Sequence, residues 1–309
     1  MAAMERDSMP LPPMSEPTSE VRPGHLYVVA TPIGNLGDLS PRALKILDSV
    51  DLIAAEDTRV TGALLSHFGV RNKMLALHDH NEAEATGEVI AALRKDRSVA
   101  LVSDAGTPLL SDPGYALVRE ARALNLPVIA VPGPSAAMAA LSISGLPTDS
   151  FVFAGFLPAR EEARRKRLHE LAAEPRSVIL YESTHRIVET AAALAEVLGD
   201  RRVCLARELT KLFEESHVGA ARALPAWLRA DENRQRGEFV LVIEGADATA
   251  AGPREAERIL KVLLKELGAS KAAKLASELT GLPRKELYAI AVKLGGHEGV
   301  AERDLGTDP

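Results

Sequence analysis

Three short segments rich in Gly, Pro, Ser and Thr each follow an apolar run in the first half of the chain. They are TPIGNLGDLS at 31–40, SDAGTPLLSDPG at 103–114 and PGPSAAM at 132–138. Glycine lets backbone N–H groups approach a ligand closely, and the hydroxyls of Thr107 and Ser135 add polar contacts. If the apolar runs are strands of one parallel sheet, these segments lie beyond its carboxyl edge, where open α/β sheets bind ligands. The segments therefore predict a ligand-binding crevice.

The composition of these segments narrows the kind of ligand. Gly34 and Gly37 are spaced as G-x-x-G, which is not a dinucleotide fingerprint, and no Lys-Ser/Thr follows as in a P-loop. A single such turn is most often only a turn, but three at one sheet edge favour a ligand site. The segments carry a carboxylate, Asp104, and no concentrated positive charge for a triphosphate. An adenosyl ligand that is a zwitterion with a cationic sulfur fits this chemistry better.

Two further segments could act on the acceptor of a reaction. AEDTR and YESTHR each follow an apolar run and bring together a carboxylate, a hydroxyl and an Arg. A hydroxyl acceptor needs a general base to remove its proton. The candidates are Glu182, Asp57 and, from ARELTK, Lys211. An acid beside an Arg is also typical of a structural ion pair at a helix start, and for Glu182 the two interpretations are equally supported.

Basic residues favour contact with a polyanion. PAREEARRKR at 158–167 could bind RNA phosphates near the mouth of the crevice, and a solvated helix face is the alternative. In HDHNE at 78–82, adjacent strand side chains point to opposite faces, so we expect hydrogen bonding to substrate and no metal. The residues predicted to contact the polyanion, which is RNA if the resemblance described below holds, are Arg59, His80, Arg160, Arg164, Arg165, Arg167 and Arg186.

The apolar runs before these segments predict the scaffold that positions them. Five runs of strand length alternate with helical segments before residue 146, as in an α/β fold: LYVVA, DLIAAE, MLAL, SVALVSD and PVIAVPG. Because the runs are apolar on both faces, they are typical of a parallel sheet covered by helices on both sides. We therefore predict an N-terminal α/β lobe at 24–145 that carries the cofactor loops.

A second series of strands follows the Gly/Pro-rich break SGLPTDS. FVFAGF, SVILYES, RRVCLARE and EFVLVIEG predict a second α/β lobe at 146–248. Helices are predicted at 161–173 and 184–198, the latter with Thr184 capping its first turn.

The last part of the chain carries only helical signals. Three amphipathic stripes predict a helix-turn-helix-like module at 253–297. The stripes are Ile259, Leu263 and Leu267; Ala272, Leu275, Ala276 and Leu279; and Leu287, Ile290, Ala291 and Leu294. Nine Lys or Arg against five Asp or Glu make the module +4 in a chain of net charge −6. This asymmetry favours nucleic-acid contact slightly over a helical cap or dimerisation bundle.

The remaining features bound the class of protein. Residues 1–23 are proline-rich and polar, which predicts a disordered leader, and 298–309 form a tail. The single cysteine, Cys204, excludes an intramolecular disulfide framework and has no zinc-type partners near it. No apolar stretch approaches the roughly 18 residues of a spanning helix, and the N-terminus lacks a signal peptide. We expect a cytoplasmic protein without a membrane partner.

Several segments, in their order along the chain, closely resemble a known family. They are LYVVATPIGNLGDLSPRAL, AAEDTR, HDHNE, SDAGTPLLSDPGY, PGPSAAMAAL, GFLP, YESTHR, ARELTK and GEFVLVIEG. From about residue 24 to the end, the sequence is similar to the bacterial 16S ribosomal RNA cytidine 2′-O-methyltransferases, the ribosomal small subunit methyltransferase I family. The length and order of the blocks exclude a chance match.

The resemblance implies a fold, a cofactor and a substrate. The fold is the two-lobed one shared with the tetrapyrrole methylases, with S-adenosylmethionine between the lobes, usually in a homodimer. The substrate is 16S rRNA or the small ribosomal subunit, not DNA, and the acceptor is the 2′-hydroxyl of a cytidine in the decoding centre. The implied cofactor contacts are Ile33, Asp104, Thr107, Ser135 and Ala136, with Tyr181, Ala206 and Phe239 from the second lobe. For Ala136 and Phe239, core packing is an equally supported alternative.

Two other functions stay open on the residues alone. A tetrapyrrole methylase would use the same crevice but needs a broad apolar cleft, whereas this chain has only 4% aromatic residues and carries basic clusters. A non-enzymatic RNA-binding assembly factor would explain the basic module but not three cofactor-type loops. Methyl transfer to RNA is therefore preferred.

Overall fold

The computed structural model describes residues 20–295, and for 248–255 and 295 it describes the backbone alone. The predicted tail at 298–309 and the predicted leader up to residue 19 lie outside the described residues. Within the described part, every helix is too short or too polar to cross a bilayer.

The first sheet is parallel and has five strands, as the apolar runs predict. The strands are β1 Leu26–Val29, β2 Leu52–Ala55, β3 Met74–Ala76, β4 Val99–Val102 and β5 Val128–Val131, in the order β3-β2-β4-β1-β5. Helices alternate with them: α1 Pro41–Ser49, α2 Thr58–His67, α3 Glu82–Leu93, α4 Tyr115–Ala123 and α5 Ala136–Ile143.

Alternate residues of these strands face two separate cores. Leu26 and Leu101 pack on one face of the sheet, and Tyr27 and Val102 pack on the other. This period of two, with both faces apolar, follows from helices covering both sides of a parallel sheet. The strand order puts β1 between β4 and β5, so the loops that leave these three strands are neighbours at one edge.

The second sheet is mixed and contains a strand that the sequence did not reveal. Its strands are β6 Phe151–Phe156, β7 Ser177–Glu182, β8 Arg202–Arg207, β9 Glu215–Ala220 and β10 Phe239–Ile243, in the order β6-β7-β10-β8-β9. Only β6 and β7 pair in parallel. The edge strand β9 reads ESHVGA, which has no apolar run because one face meets solvent.

The helices of the second lobe are α6 Glu161–Leu171, α7 Ile187–Leu198 and α8 Leu224–Arg229. The prediction that Thr184 caps α7 is wrong. Residues 183–186 form a turn before the helix, and the Thr184 hydroxyl donates to the carbonyl of Gly237 instead.

Helix α5 joins the two lobes through a shared apolar core. Its residues Ala137, Ala140 and Leu141 pack with Ile179 of β7 and Val242 of β10. Because α5 begins within the third Gly/Pro segment, at Ala136, this packing holds that segment against the second sheet.

The C-terminal part forms three helices around their own small core. They are α9 Ala248–Leu263, α10 Ala269–Thr280 and α11 Arg284–Gly295. Helix α10 buries Ala272, Ala273 and Ala276, whose small side chains let its neighbours pack closely. The predicted stripe on this helix is partly wrong, because Leu275 is exposed and Leu279 is 69% exposed.

Candidate functional site

The three Gly/Pro segments are tied together at the carboxyl edge of the first sheet. The backbones of Thr31 and Gly106 exchange two hydrogen bonds, of 2.9 and 3.0 Å. The Thr107 hydroxyl donates to the carbonyl of Pro134 at 3.1 Å, which links the second segment to the third. Gly106 has a φ of +82°, a conformation that favours glycine. The predicted crevice is thus a connected structure.

A cavity of about 280 Å³, called the first cavity, lies where these segments face the second sheet. The described part of the chain places no Lys or Arg side chain in its lining. Five of the eight residues predicted to contact a cofactor line it: Ile33, Thr107, Ala136, Tyr181 and Phe239. The first cavity therefore suits a ligand that is mostly apolar or cationic.

Tyr181 forms an aromatic wall of the first cavity. Its ring packs edge-on against Phe153 and Phe156, with centroids 4.9 and 5.7 Å away. Burial raises the pKa of the phenol, although the Ala137 N–H and the Ser135 hydroxyl at the start of α5 oppose the rise. The neutral phenol and the ring edges give the cavity a surface on which a flat ligand can stack.

Asp112 is a site residue that the sequence reasoning missed. It lines the first cavity, and burial raises its pKa to about 6, against the hydrogen bond from Ser103. The nearby carboxylates of Glu56, Asp104 and Asp79 raise the pKa further. Asp112 stands in the segment SDAGTPLLSDPG, in which the sequence pattern indicates Asp104 as the carboxylate of the crevice. The negative charges of Asp112 and these neighbouring carboxylates favour a positively charged ligand in the first cavity.

The loop that carries Asp112 is held in an uncommon backbone conformation. Leu109 and Ser111 have φ values of +74° and +72°, which non-glycine residues adopt only where surroundings enforce them. A Cβ on Gly155 of β6 would lie 3.2 Å from the Ser111 hydroxyl, so glycine permits this contact between the lobes. The contact fixes the loop at the mouth of the first cavity.

Three predicted cofactor residues lie outside the lining of the first cavity. Asp104 lines a neighbouring cavity of about 510 Å³, called the second cavity. Ser135 stands at the N-terminus of α5, behind Tyr181. Ala206 is fully buried in a core that it shares with Ile33 and Tyr181, outside the lining of the first cavity, and its contact with the cofactor stays a prediction.

The opening turn TPIGN is in close contact with a lysine of the second lobe, Lys211. Gly34 has a φ of +151°, and a Cβ there would lie 2.4 Å from Cγ of Lys211. The Lys211 ammonium donates to Glu208 at 2.9 Å and to Glu238 at 2.8 Å. The turn is therefore built to let the Lys211 stem cross close to the backbone, as well as to shape the cavities.

Lys211 is held as a cation. Partial burial lowers its pKa, but the hydrogen bonds to Glu238 and Glu208 outweigh burial and raise the pKa above its ordinary value. A protonated amine cannot accept a proton, so Lys211 fits a positioning role and not that of a general base.

Glu182 is enclosed and saturated with hydrogen bonds. Its side chain is 0% exposed, Oε2 accepts from the Thr190 hydroxyl at 2.6 Å, and Oε1 accepts from the Ser183 N–H at 2.9 Å. Arg186 Nε lies 3.5 Å from Oε1. Glu182 also lines the first cavity. Its hydrogen bonds favour the structural alternative, and its role as a catalytic base stays a prediction.

Asp57 caps α2 and pairs with Arg59. Its carboxylate accepts from the Arg59 N–H and guanidinium, which lowers the pKa of Asp57 to about 2. A carboxylate with so low a pKa is a weak proton acceptor. Arg59 itself is exposed beside Asp104, and its contact with RNA stays a prediction.

One of the predicted phosphate-binding residues is in the core. Arg164 is 3% exposed, donates to Glu189 of α7 at 2.8 Å and to the carbonyl of Ala159 at 3.4 Å. The prediction that Arg164 contacts RNA is wrong, because its guanidinium is enclosed between α6 and α7.

The other predicted RNA contacts differ in exposure and in their partners, and Arg186 is half-buried. Arg165 and Arg167 form ion pairs with glutamates of α6 and α7. Arg186 donates to two backbone carbonyls of the loop between β6 and α6. Arg160 and His80 are exposed. Within residues 20–295, no cluster of His, Cys, Asp and Glu side chains has the arrangement of a metal site.

The two sheets, the cleft between them and the Gly-rich loops define a class of protein. The family described as Tetrapyrrole (Corrin/Porphyrin) Methylases matches residues 25–225, and the RsmI C-terminal HTH domain matches residues 250–295. The solved structure of the methyltransferase CobJ shares the fold, with a TM-score of 0.54 and 19% identity over 72% of this chain and 95% of that chain. The predicted fold class is confirmed.

A curated relative narrows the class to one family. The ribosomal RNA small subunit methyltransferase I of Xylella fastidiosa is 55% identical over 268 residues, which are 86% of this chain and 98% of that protein. The chain therefore belongs to the ribosomal RNA small subunit methyltransferase I family, and the resemblance seen in the sequence is confirmed. A Thermus thermophilus uroporphyrin-III C-methyltransferase, solved with S-adenosylhomocysteine, has the same fold, with a TM-score of 0.50 and 17% identity over 71% of this chain and 97% of that chain.

Proposed function

We propose that this protein transfers the methyl group of S-adenosylmethionine to the ribose 2′-hydroxyl of a cytidine in 16S rRNA, within the small ribosomal subunit. The observation that carries the proposal is the first cavity, where three small-residue loops meet the second sheet. Its lining, in the part of the chain that the structure describes, holds the carboxylates of Asp112, Glu182 and Glu238 and no Lys or Arg. The name of the Xylella fastidiosa relative supports the ribosomal RNA of the small subunit as substrate.

The residues of the first cavity fit the cofactor. Tyr181 offers a surface for the adenine, and Thr107 offers a hydroxyl. The Phe239 side chain is 2% exposed and packs in the helix-covered core of the second lobe, which supports the core-packing alternative for this residue. The carboxylate of Asp112 offsets the positive charge that the cofactor carries on sulfur. We propose that Ile33, Thr107, Asp112 and Tyr181 contact the cofactor, with Ala136 closing the pocket at the start of α5.

The contribution of the protein to catalysis is chiefly one of position. S-adenosylmethionine supplies a methyl group on a positively charged sulfur. Methyl transfer is an in-line displacement, so the chain must hold the acceptor oxygen in line with the methyl carbon and sulfur. The connected loops and the α5 packing make the site rigid enough for this alignment. The proton of the hydroxyl needs an acceptor, and the first cavity has carboxylates in its lining.

The assembly and location of the enzyme belong to the same proposal. We propose a cytoplasmic homodimer, and the exposed Leu212 and Phe213 of the loop between β8 and β9 offer an apolar surface that a second copy could cover. Sedimentation of the purified chain at several concentrations checks this state, and a monomer at micromolar concentration would contradict it.

Incubation with labelled S-adenosylmethionine and unmodified small subunits tests the function. We expect label in one cytidine ribose, found by nuclease digestion and mass spectrometry. Label in an added uroporphyrinogen would support a tetrapyrrole methylase instead. Binding of the subunits without any binding of S-adenosylmethionine would support a non-enzymatic assembly factor.

A further inference from the structure

The first and second cavities share a wall. The second cavity is bounded by the opening turn, by one face of α2 and by Asp104, Lys211 and Glu238. Three residues line both cavities, namely Ile33, Ala105 and Glu238. A group bound in the second cavity is therefore next to a ligand in the first.

We propose that the second cavity receives the acceptor nucleoside, unstacked from the RNA, and that Glu238 at the shared wall accepts the 2′-hydroxyl proton. This inference rests on the proposed function, because it places the acceptor relative to the cofactor in the first cavity. The cofactor cavity lies between the two lobes, so the acceptor ribose has to enter the cleft to reach it. A nucleotide that is extruded or single-stranded can enter such a cleft, and its base then needs a place beside the cofactor.

The walls of the second cavity fit the face of a base. Leu36 and Val60 are large apolar side chains that stay exposed there, and Ala63 and Leu64 extend the surface along α2. Exposed apolar surface that faces a cavity is covered when a flat aromatic ring enters it. The volume of about 510 Å³ admits a nucleoside without displacing the cofactor site.

Asp104 provides a polar contact that distinguishes cytosine. Cytosine presents an amino group, for which a carboxylate is the matching acceptor, whereas uracil presents a carbonyl oxygen in its place. Asp104 Oδ1 accepts the Asp57 N–H at 3.0 Å, and the described residues donate no hydrogen bond to Oδ2. Asp104 therefore retains an acceptor for a base.

Glu238 is the one titratable residue that lines both cavities in the described part of the chain. Its Oε2 accepts from Lys211 at 2.8 Å, while Oε1 has no hydrogen bond from the described residues. The side chain is 78% exposed, so an incoming ribose can reach it. Two hydrogen bonds hold Glu238 at the shared wall. Lys211 donates to its carboxylate, and the Glu238 N–H donates to Glu208 at 3.0 Å.

The proposed step conserves atoms and charge. The O–H bond of the ribose breaks and its proton goes to Glu238. The freed oxygen forms a bond with the methyl carbon, while the bond from carbon to sulfur breaks and its electron pair stays on sulfur. The products are a 2′-O-methylcytidine, neutral S-adenosylhomocysteine and a protonated Glu238, which returns its proton to solvent.

A substitution that fills the second cavity tests the location. Ala63→Phe places a ring in the cavity from an exposed position of α2, and Ser66→Phe is the matched control, exposed on the same helix and outside the lining. For Ala63→Phe we expect kcat/KM on unmodified small subunits to fall by about 100-fold or more, because the acceptor loses its alignment. Affinity for S-adenosylhomocysteine, measured by calorimetry, stays unchanged in both variants.

A binding measurement complements the rate. Saturation-transfer NMR with cytidine monophosphate, in the presence of S-adenosylhomocysteine, is expected to give signals with the wild type and Ser66→Phe but not with Ala63→Phe. No signal with the wild type, or equal signals and rates in both variants, would overturn the nucleoside pocket. The proposed function fails separately, if the wild type does not methylate the subunit at all.

Glu238→Gln tests the proton acceptor while it keeps the shape and the acceptor for Lys211. We expect kcat to fall by about 10²-fold to 10⁴-fold, the usual contribution of a general base, with KM for the subunit unchanged. Glu238→Asp, which keeps the carboxylate, is expected to recover part of the loss. Glu232→Gln, at an exposed position, is the control. A kcat within a factor of about two of the wild type would overturn the assignment of Glu238.

Discussion

Carboxylates that follow strands in the two lobes have opposite surroundings, although their sequence signatures are alike. In the second lobe, both oxygens of Glu182 accept hydrogen bonds and the side chain is enclosed. In the first lobe, Glu56, Asp104 and Asp112 lie near one another, and burial is the main cause that raises the pKa of each. A saturated carboxylate stabilises the fold, whereas a cluster without enough partners is available to a cationic ligand. The donors around an acid, and not the motif that contains it, decide its role.

The largest expected effect is on stability and comes from the saturated carboxylate. Glu182→Ala leaves the Thr190 hydroxyl and the Ser183 N–H without an acceptor, so the free energy of unfolding should fall by about 3 kcal/mol. Urea denaturation measures the change, with Glu162→Ala on exposed α6 as the control. Unchanged stability together with lost methyl transfer would support a catalytic role for Glu182.

The next effect concerns the unsaturated carboxylate in the first cavity. Asp112→Asn removes the charge that faces the sulfonium, so affinity for S-adenosylmethionine should fall about tenfold. Affinity for S-adenosylhomocysteine, whose sulfur is neutral, should change by less than about a factor of two. Calorimetry with both ligands checks the difference, and Asp149→Asn in an exposed loop is the control. Equal losses for both ligands would show that Asp112 acts on shape alone.

Because Asp112 can be protonated, the difference in affinity between the wild type and Asp112→Asn should depend on pH. Because its pKa is about 6, protonation below that pH removes the negative charge. Affinity of the wild type for S-adenosylmethionine should therefore decrease as pH falls through about 6, while Asp112→Asn stays flat there. If the affinity of the wild type for S-adenosylmethionine does not change between pH 5 and 7, about one unit on each side of the pKa, the role of this charge is contradicted.

The carboxylates of Glu182 and Asp112 should have opposite effects on the stability of the fold. The folded chain binds a proton at Asp112 more tightly than the unfolded chain, so stability decreases as pH rises from the ordinary Asp value to about 6. At pH 7.5, a value about 1.5 units above that pKa, Asp112→Asn should raise the free energy of unfolding by about 1 kcal/mol; water screens this half-buried group, which reduces the gain. Urea denaturation at pH 7.5 and near pH 4, which is about the ordinary pKa of Asp, measures the free energy of unfolding of both proteins. If Asp112→Asn lowers the free energy of unfolding at the higher pH, the proposed effect of the Asp112 charge on stability is contradicted.

The smallest effect concerns the basic cluster of α6. Arg160 and Lys166 are exposed, whereas Arg164 is enclosed, so replacing Arg160 and Lys166 by Ala should weaken RNA binding about threefold. The salt dependence of binding should become shallower, because fewer phosphates are neutralised. Filter binding of 16S rRNA at several salt concentrations measures both. Arg164→Ala should instead lower stability, and a loss of RNA affinity without that change would return Arg164 to the interface.

Much of the scaffold could be predicted because it depends on local patterns. The five strands of the first sheet are apolar on both faces, and the loops contain the glycines that their turns need. Strand β9 was missed, since an edge strand with polar residues has no such run. The roles of Glu182 and Arg164 could not be read from the sequence, because they depend on Thr190 and Glu189, partners brought close by folding.

The cavities themselves were beyond sequence reasoning for the same reason. The assignment of Asp112 depends on its burial beside Glu56, and that of Glu238 depends on a wall formed by both lobes. The distance between residues so far apart in the chain does not follow from composition or periodicity, and neither does the burial of each residue.

The most direct test of the account is calorimetry with S-adenosylmethionine on three forms of the full chain. Ala136→Phe fills the first cavity from the start of α5, and Met138→Phe is an exposed control on the same helix. We expect one bound ligand per chain for the wild type and Met138→Phe, and no heat of binding for Ala136→Phe. Undiminished binding by Ala136→Phe, or no binding by the folded wild type, would contradict the proposal that the cofactor binds in the first cavity.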